Sequence, residues 1–142
     1  MKVLIDTNFA LTYVSGREDK FSDQSDKIML LCAEEKIDGL LAFHSLSTIW
    51  YVTRKIPDEI RREWIKQLCT ILTVVGAENA TILDAVADTG FNDFEDALQD
   101  CCAIDSDADY IVTVNMKDFV GHSKTKAVTP DELLRIVAET EE

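Results

Sequence analysis

Positive charge is scarce in this chain: 14 lysines and arginines stand against 27 aspartates and glutamates, a formal net charge of −13. That balance argues against broad electrostatic attraction to nucleic acid or to an anionic membrane surface. It does not exclude a nucleic-acid substrate, since bound divalent cations can recruit phosphate locally, or a partner can supply the affinity. Long hydrophobic runs are missing as well. No apolar stretch approaches the roughly 18 residues of a membrane span, and the opening residues lack a basic segment followed by an apolar one, so a soluble, cytoplasmic protein is expected. The four cysteines, Cys32, Cys69, Cys101 and Cys102, have neither CxxC spacing nor a histidine nearby. They support no zinc site and no disulfide framework, and read as reduced, small core residues. Internal repeats and low-complexity tracts are also lacking.

What is present has the size of one domain, residues 1–142, long enough to bury a real core. Short apolar runs alternate with helix-spaced segments, which favours βα units around a mostly parallel sheet. Strands are expected at 2–5, 39–43, 72–75, 110–114 and 126–128. Ile28, Leu31 and Cys32 share one helical face, as do Ile56, Ile60, Trp64, Leu68 and Ile71, and both stripes read as core. Thr129, Pro130 and Glu132 form a capping box that starts the last helix. Residues 116–124 read as a loop, and the acidic tail 139–142 as a frayed terminus.

The chemistry is expected where strands end. In the opening run, Val3-Leu4-Ile5 stops at Asp6, Thr7 and Asn8, an acid, a hydroxyl and an amide. A buried parallel strand reads as such a continuous apolar stretch, and ligands of open α/β sheets bind beyond the carboxyl ends of the strands. Tyr110-Ile111-Val112-Thr113-Val114 runs in the same way into Asn115, with Asp118 close behind. Between these junctions lies Asp93-Phe94-Glu95-Asp96-Ala97-Leu98-Gln99-Asp100, a helix loaded with acids at its start. A cap at Asn92 or Asp93 and the helix macrodipole account for part of that loading. Asp93 and Asp96 nevertheless share a face, about 5–6 Å apart at Cβ, and Asp100 continues it. Carboxylates gathered within a few ångströms repel, and a divalent cation removes that cost. Magnesium-like cations select oxygen ligands and keep several waters.

Four motifs in order, Leu4-Ile5-Asp6-Thr7-Asn8, the segment from His44 to Val52 followed by Arg54-Lys55, the segment from Asp93 to Gln99, and the segment from Ile111 to Phe119, resemble the PIN-domain family. The likeness spans nearly the whole chain. It implies a three-layer α/β/α fold with a parallel five-stranded sheet of order 3-2-1-4-5, and a Mg2+- or Mn2+-dependent ribonuclease site built of three or four acids. Many small bacterial and archaeal members are the toxin half of VapBC-type toxin–antitoxin pairs, so RNA, an antitoxin protein and a homodimer are the implied partners. Carried over by position, Asp6, Asp96 and Asp118 match the metal-binding acids. Asn115 joins them in the catalytic set, with Asp93, Thr48, Thr7, Asn8 and Thr113 as secondary candidates.

One departure stands out. Where many such nucleases carry a glutamate on the helix after the second strand, this chain has Thr48, or Ser47 if the register slips by one. The site is therefore expected to lose a negative charge, bind metal more weakly and hold one ion instead of two; alternatively, Thr48 only back-bonds within its helix. A catalytically inactive module acting by protein or RNA binding is the competing reading. A phosphotransfer enzyme with Asp6 as nucleophile is disfavoured, because Asn8 stands where a second aspartate would be needed. Neither histidine is required: His44 reads as a packing or capping residue and His122 as solvated. Among the cations, Arg61, Arg62 and Lys66 read as a solvated helix face, whereas Lys117, Lys124 and Lys126 adjoin the expected site. Trp50 and Tyr51 fit either a dimer surface or the core, and Trp64 belongs to its helix's apolar stripe.

Overall fold

The apolar run after Met1 is buried to the last atom. Val3, Leu4 and Ile5 are each 0 % exposed in β1 (Lys2–Ile5), a burial that contributes about 1.5–3 kcal/mol per side chain. Such a strand needs cover on both faces, which helix layers on the two sides of a parallel sheet provide. The computed structural model describes residues 1–141; Glu142, the last residue of the acidic tail, lies outside the described residues.

From β1 the chain enters α1 (Thr7–Ser15) and α2 (Ser22–Ala33), and returns as β2 (Asp38–Ala42). Then follow α3 (Phe43–Val52), α4 (Asp58–Ile71), β3 (Thr73–Val75), α5 (Asn79–Ala87) and α6 (Phe94–Asp105). Last come β4 (Tyr110–Val112), β5 (Lys126–Val128) and α7 (Pro130–Thr140). All five strands run parallel in the order β3-β2-β1-β4-β5, as expected. The order reverses direction at β1, whose neighbours are β2 on one side and β4 on the other.

Alternation along each strand separates two cores. Val3, Ile5, Leu41, Val112 and Val128 face α1, α2, α4 and α7, where Phe9, Ile28, Met29, Leu68 and Leu133 meet them. Leu4, Leu40, Ala42 and Ile111 face α5 and α6, against Ala85, Ala97, Cys101 and Cys102. The result is a three-layer α/β/α sandwich. Helix α7 begins as anticipated, with Thr129 Oγ1 accepting from the Glu132 amide at 3.1 Å and Pro130 in the first turn.

Several local expectations need correction. Ile56 precedes α4 and Ile60 is 46 % exposed, so the apolar stripe of that helix rests on Trp64, Ile65, Leu68 and Ile71. Cys69 lies on the outward face of α4 and is exposed, while the other three cysteines are buried. Residues 116–124 are not wholly loop: Met116–Asp118 form a 3-10 turn, anchored by Phe119, which is buried edge-on against Phe91 at 6.3 Å. Helix α7 continues through Glu139 and Thr140, where a frayed end was expected. Arg61 is not solvated either: it lies 3.8 Å over the Trp50 ring and donates to the Trp50 carbonyl at 2.9 Å. Arg62 pairs with Asp58 at 2.8 Å as its spacing implies. No helix among the described residues is long and apolar enough to cross a membrane.

Candidate active site

Asp6 stands one residue beyond β1 and caps α1. Its extended backbone (φ −63°, ψ 148°) lets Oδ1 accept from the Thr7 amide at 2.9 Å. The Asp6 amide itself donates to Val112 of the neighbouring β4 at 3.1 Å, which pins the two strand ends together. From that strand end Thr113 Oγ1 donates to Asp6 Oδ2 at 2.8 Å and accepts from the Asn115 amide at 3.0 Å. Asp6 is 7 % exposed. Burial raises its pKa above the ordinary value, the Thr113 and Thr7 hydrogen bonds pull it back, and the charges of Glu95 and Asp118 raise it again.

Helix α6 brings the second group of acids. Asp93 is its N-cap, accepting from the Glu95 amide at 2.8 Å, so that side chain has a structural duty and is exposed. Asp96, in the first turn, is half-buried, and its carboxyl is pushed up to about 7. Burial is the largest cause, followed by Asp93, Asp118, Asp6 and Glu95. Asp118 arrives on the 3-10 turn after β4, its amide donating to the Asn115 carbonyl at 3.0 Å. Asp6, Asp96, Asp118 and Glu95 therefore act electrostatically on a common edge, contributed by the ends of β1 and β4 and the start of α6.

Other candidates divide. Thr7 is buried and central. Its hydroxyl lies 2.7 Å from Ser45 Oγ, accepts from Gln99 Nε2 at 2.7 Å and reaches Glu95 Oε1 at 3.5 Å. Thr48 donates to its own helix at His44 O (3.3 Å) and to Glu95 Oε1 (3.4 Å). Back-bonding is thus only half of what it does, and Ser47, the neighbouring alternative, faces solvent. Asn115 is half-buried beside Thr113. Asn8 is exposed on α1 with no side-chain hydrogen bond among the described residues, and stays outside the cluster. Asp100, read as continuing the acidic row, is 0 % exposed and accepts from the Lys124 and Thr125 amides at 3.1 Å each, a structural role. His44 is half-buried, its pKa lowered by burial, 4.0 Å from Glu95 Oε1. His122 packs against Phe91 and remains exposed.

Sequence reasoning missed Glu95 and Gln99. Face counting on an isolated helix follows the row through Asp93, Asp96 and Asp100 and passes over Glu95. What turns Glu95 towards α1 and α3 is the seating of Ala97, Cys101 and Cys102 on the sheet, which periodicity does not reveal. Gln99 is 1 % exposed, and its Nε2 donates to both Thr7 and Ser45 (3.1 Å), while its Oε1 has no partner among the described residues.

Among the described residues no three His, Cys, Asp or Glu side chains close into a ready metal cage. The donor chemistry still fits a hard cation. The acids and hydroxyls gathered there offer oxygen, and the carboxyls of Asp6 and Asp96 are raised first by burial and then by like charge, the second a cost that a cation would relieve. Water would fill the positions that side chains leave open, as such ions prefer.

An acid-lined crevice at the reversal point of a parallel α/β/α sheet defines a class of proteins that binds ligands at strand ends. Within that class the chain belongs to the PIN domain family, whose profile matches residues 2–117. Comparison with curated proteins gives no match. Among solved structures the chain is similar to one described as VapBC2 from Rickettsia felis bound to a DNA fragment from their promoter. The TM-score is 0.70 at 15 % identity, over 91 % of this chain and 98 % of that one. Such a likeness concerns the fold.

Proposed function

We propose that this chain, acting as one domain, is a Mg2+- or Mn2+-dependent endoribonuclease and the toxin component of a toxin–antitoxin pair. Family membership supports the nuclease class, since PIN proteins are in general nucleases that use divalent ions. The single observation that carries the reading is the convergence of acids at the β1–β4 crevice, where the charges of Asp118 and Asp6 both act on the half-buried Asp96 and that of Asp118 acts on the buried Asp6. Asp6 and Asp96 hold the cation, directly or through water, and Asp118 completes the set. When bound, the ion offsets phosphate charge and makes water acidic enough to attack near neutral pH.

The chain's own residues do the rest. Thr113 and the Thr7 amide fix both oxygens of Asp6, so the carboxylate is oriented before any ligand arrives. Asn115, at the same strand end, orients the attacking water. Lys117, exposed between Asn115 and Asp118, meets the RNA backbone, with Lys124 and Lys126 further along. An antitoxin protein and a homodimer are proposed as partners on the likeness to the Rickettsia VapBC2 assembly.

Asp6→Asn and Asp96→Asn are each expected to abolish metal-dependent cleavage of RNA while far-UV circular dichroism and cooperative unfolding remain. Cleavage surviving both substitutions overturns the mechanism. A purified protein that binds neither Mg2+ nor Mn2+ by calorimetry, and is not stabilised by them, is a binding module instead.

A further inference from the structure

We infer that Glu95 is a working acid of this site, set in place by the hydroxyls of Thr7 and Thr48, and that its free oxygen faces the cation or the water around it. The inference rests on the metal-dependent reading above and adds a residue to it.

Three elements converge on one atom. Thr7 from α1 and Thr48 from α3 reach Glu95 Oε1 at 3.5 and 3.4 Å, and His44 Nε2 from α3 stands 4.0 Å away. Every one of these contacts runs to Oε1. Among the described residues Oε2 has no protein donor, although the side chain is only 40 % exposed. A first-turn glutamate serving the helix macrodipole alone would extend into water and need no such clamp.

Hydrogen placement gives the clamp a direction. Gln99 Nε2 donates to both Thr7 Oγ1 and Ser45 Oγ, which lie 2.7 Å apart. Among the described residues Ser45 Oγ has no other partner, so its single hydrogen goes to Thr7. Thr7 then accepts from Ser45 and Gln99, and its own hydrogen is left for Glu95. The buried relay Ser45 to Thr7 to Glu95 places every hydroxyl hydrogen on an acceptor, as buried hydroxyls require. Thr7 adjoins Asp6 in sequence and Glu95 adjoins Asp96, so the relay ties the two acid-bearing elements together. The negative charge that Thr48 does not carry on α3 is thus present against Thr48, delivered from α6.

The test reads Mn2+ binding to the metal-free protein by calorimetry, without RNA. Glu95→Gln keeps the size and one acceptor oxygen for Thr7 and Thr48, and replaces the charged second oxygen by an amide NH2. It is expected to weaken Mn2+ binding roughly 10- to 100-fold with the unfolding transition unchanged. Adding Thr48→Glu to Glu95→Gln returns a carboxylate to the same spot from α3, and is expected to recover a measurable part of the loss. Should Glu95→Gln fail to fold, Glu95→Asp, which keeps the charge and withdraws it by one methylene, is expected to show the same direction of change. If Glu95→Gln binds Mn2+ as tightly as the unaltered protein while Asp96→Asn does not, Glu95 is a surface acid and this inference alone falls. If the unaltered protein binds no Mn2+, the metal-dependent reading falls and takes this inference with it.

Discussion

Thr113 holds Asp6. The hydroxyl at the end of β4 donates to the carboxylate at the end of β1 across 107 residues of sequence, at 2.8 Å and with both residues buried. Two adjacent parallel strands thereby share one polar group at the sheet edge, where the backbone ladder has stopped and the crevice begins. The same oxygen accepts from the Asn115 amide, so a single side chain sets the positions of an acid and of the loop that carries Asp118.

Thr113→Val keeps the shape and removes both interactions. It strands one oxygen of Asp6 and the Asn115 amide in a buried setting, at an expected cost of about 1–3 kcal/mol in urea unfolding. Thr113→Ser, which retains the hydroxyl, should lose much less. The Asp6 pKa, already raised by burial, should climb further in the valine variant, because the Thr113 bond is the largest influence lowering it. Equal stability of the valine and threonine proteins would show that this bond has no net worth.

The raised carboxyls carry a pH signature. Asp96 sits at about 7 in the folded protein, against 3.8 for the unperturbed group, so the native state keeps a proton that the unfolded chain has released. Stability from this group is whole below about pH 4 and is lost as the pH rises through about 7; Asp6 has the same sign. In metal-free buffer the urea midpoint should therefore fall between about pH 5 and about pH 8, and Asp96→Asn should flatten part of that fall. Mn2+ should oppose it at the alkaline end, where the ion no longer competes with protons. A midpoint that rises with pH in metal-free buffer, and equally in Asp96→Asn, contradicts the arrangement.

How much of this was legible in the sequence differs by residue. β1 announced itself, because four residues with three consecutive apolar side chains leave few alternatives to a doubly covered strand. The cap at Thr129 was equally plain, being a contact over three residues. That Asp6 and Asp118 approach each other was not visible in any window, since it depends on β4 lying beside β1; the strand order came with the family resemblance. Glu95 was invisible for a different reason. A helix presents every side chain to some neighbour, and only the docking of α6 through Ala97 and Cys101 decides which neighbour Glu95 receives. Ile60 and Cys69 failed in the opposite sense: their apolar character suggested burial, but α4 covers its sheet face along Trp64, Ile65, Leu68 and Ile71.

Asp100 shows how one stripe of acids divides into two functions. It follows Asp96 by four residues on the same side of α6, yet lies one turn deeper, beneath the segment that leads into β5. There its two oxygens accept separately from the Lys124 and Thr125 amides, Oδ2 from the former and Oδ1 from the latter, which starts the edge strand in register with β4. Asp100→Ala would orphan two amide donors, one of them buried, and should destabilise the fold by roughly 2–5 kcal/mol, whereas Asp100→Asn retains an acceptor for one of them and should cost about half as much. Hydrogen exchange locates the effect: the amides of Lys124 and Thr125 should lose protection ahead of the rest of the sheet. Mn2+ affinity in the folded asparagine variant should stay near that of the unaltered protein, because Asp100 has no exposed surface through which to meet an ion. A collapse of Mn2+ binding in that variant, with the exchange pattern unchanged, would move Asp100 out of the scaffold and into the acid cluster.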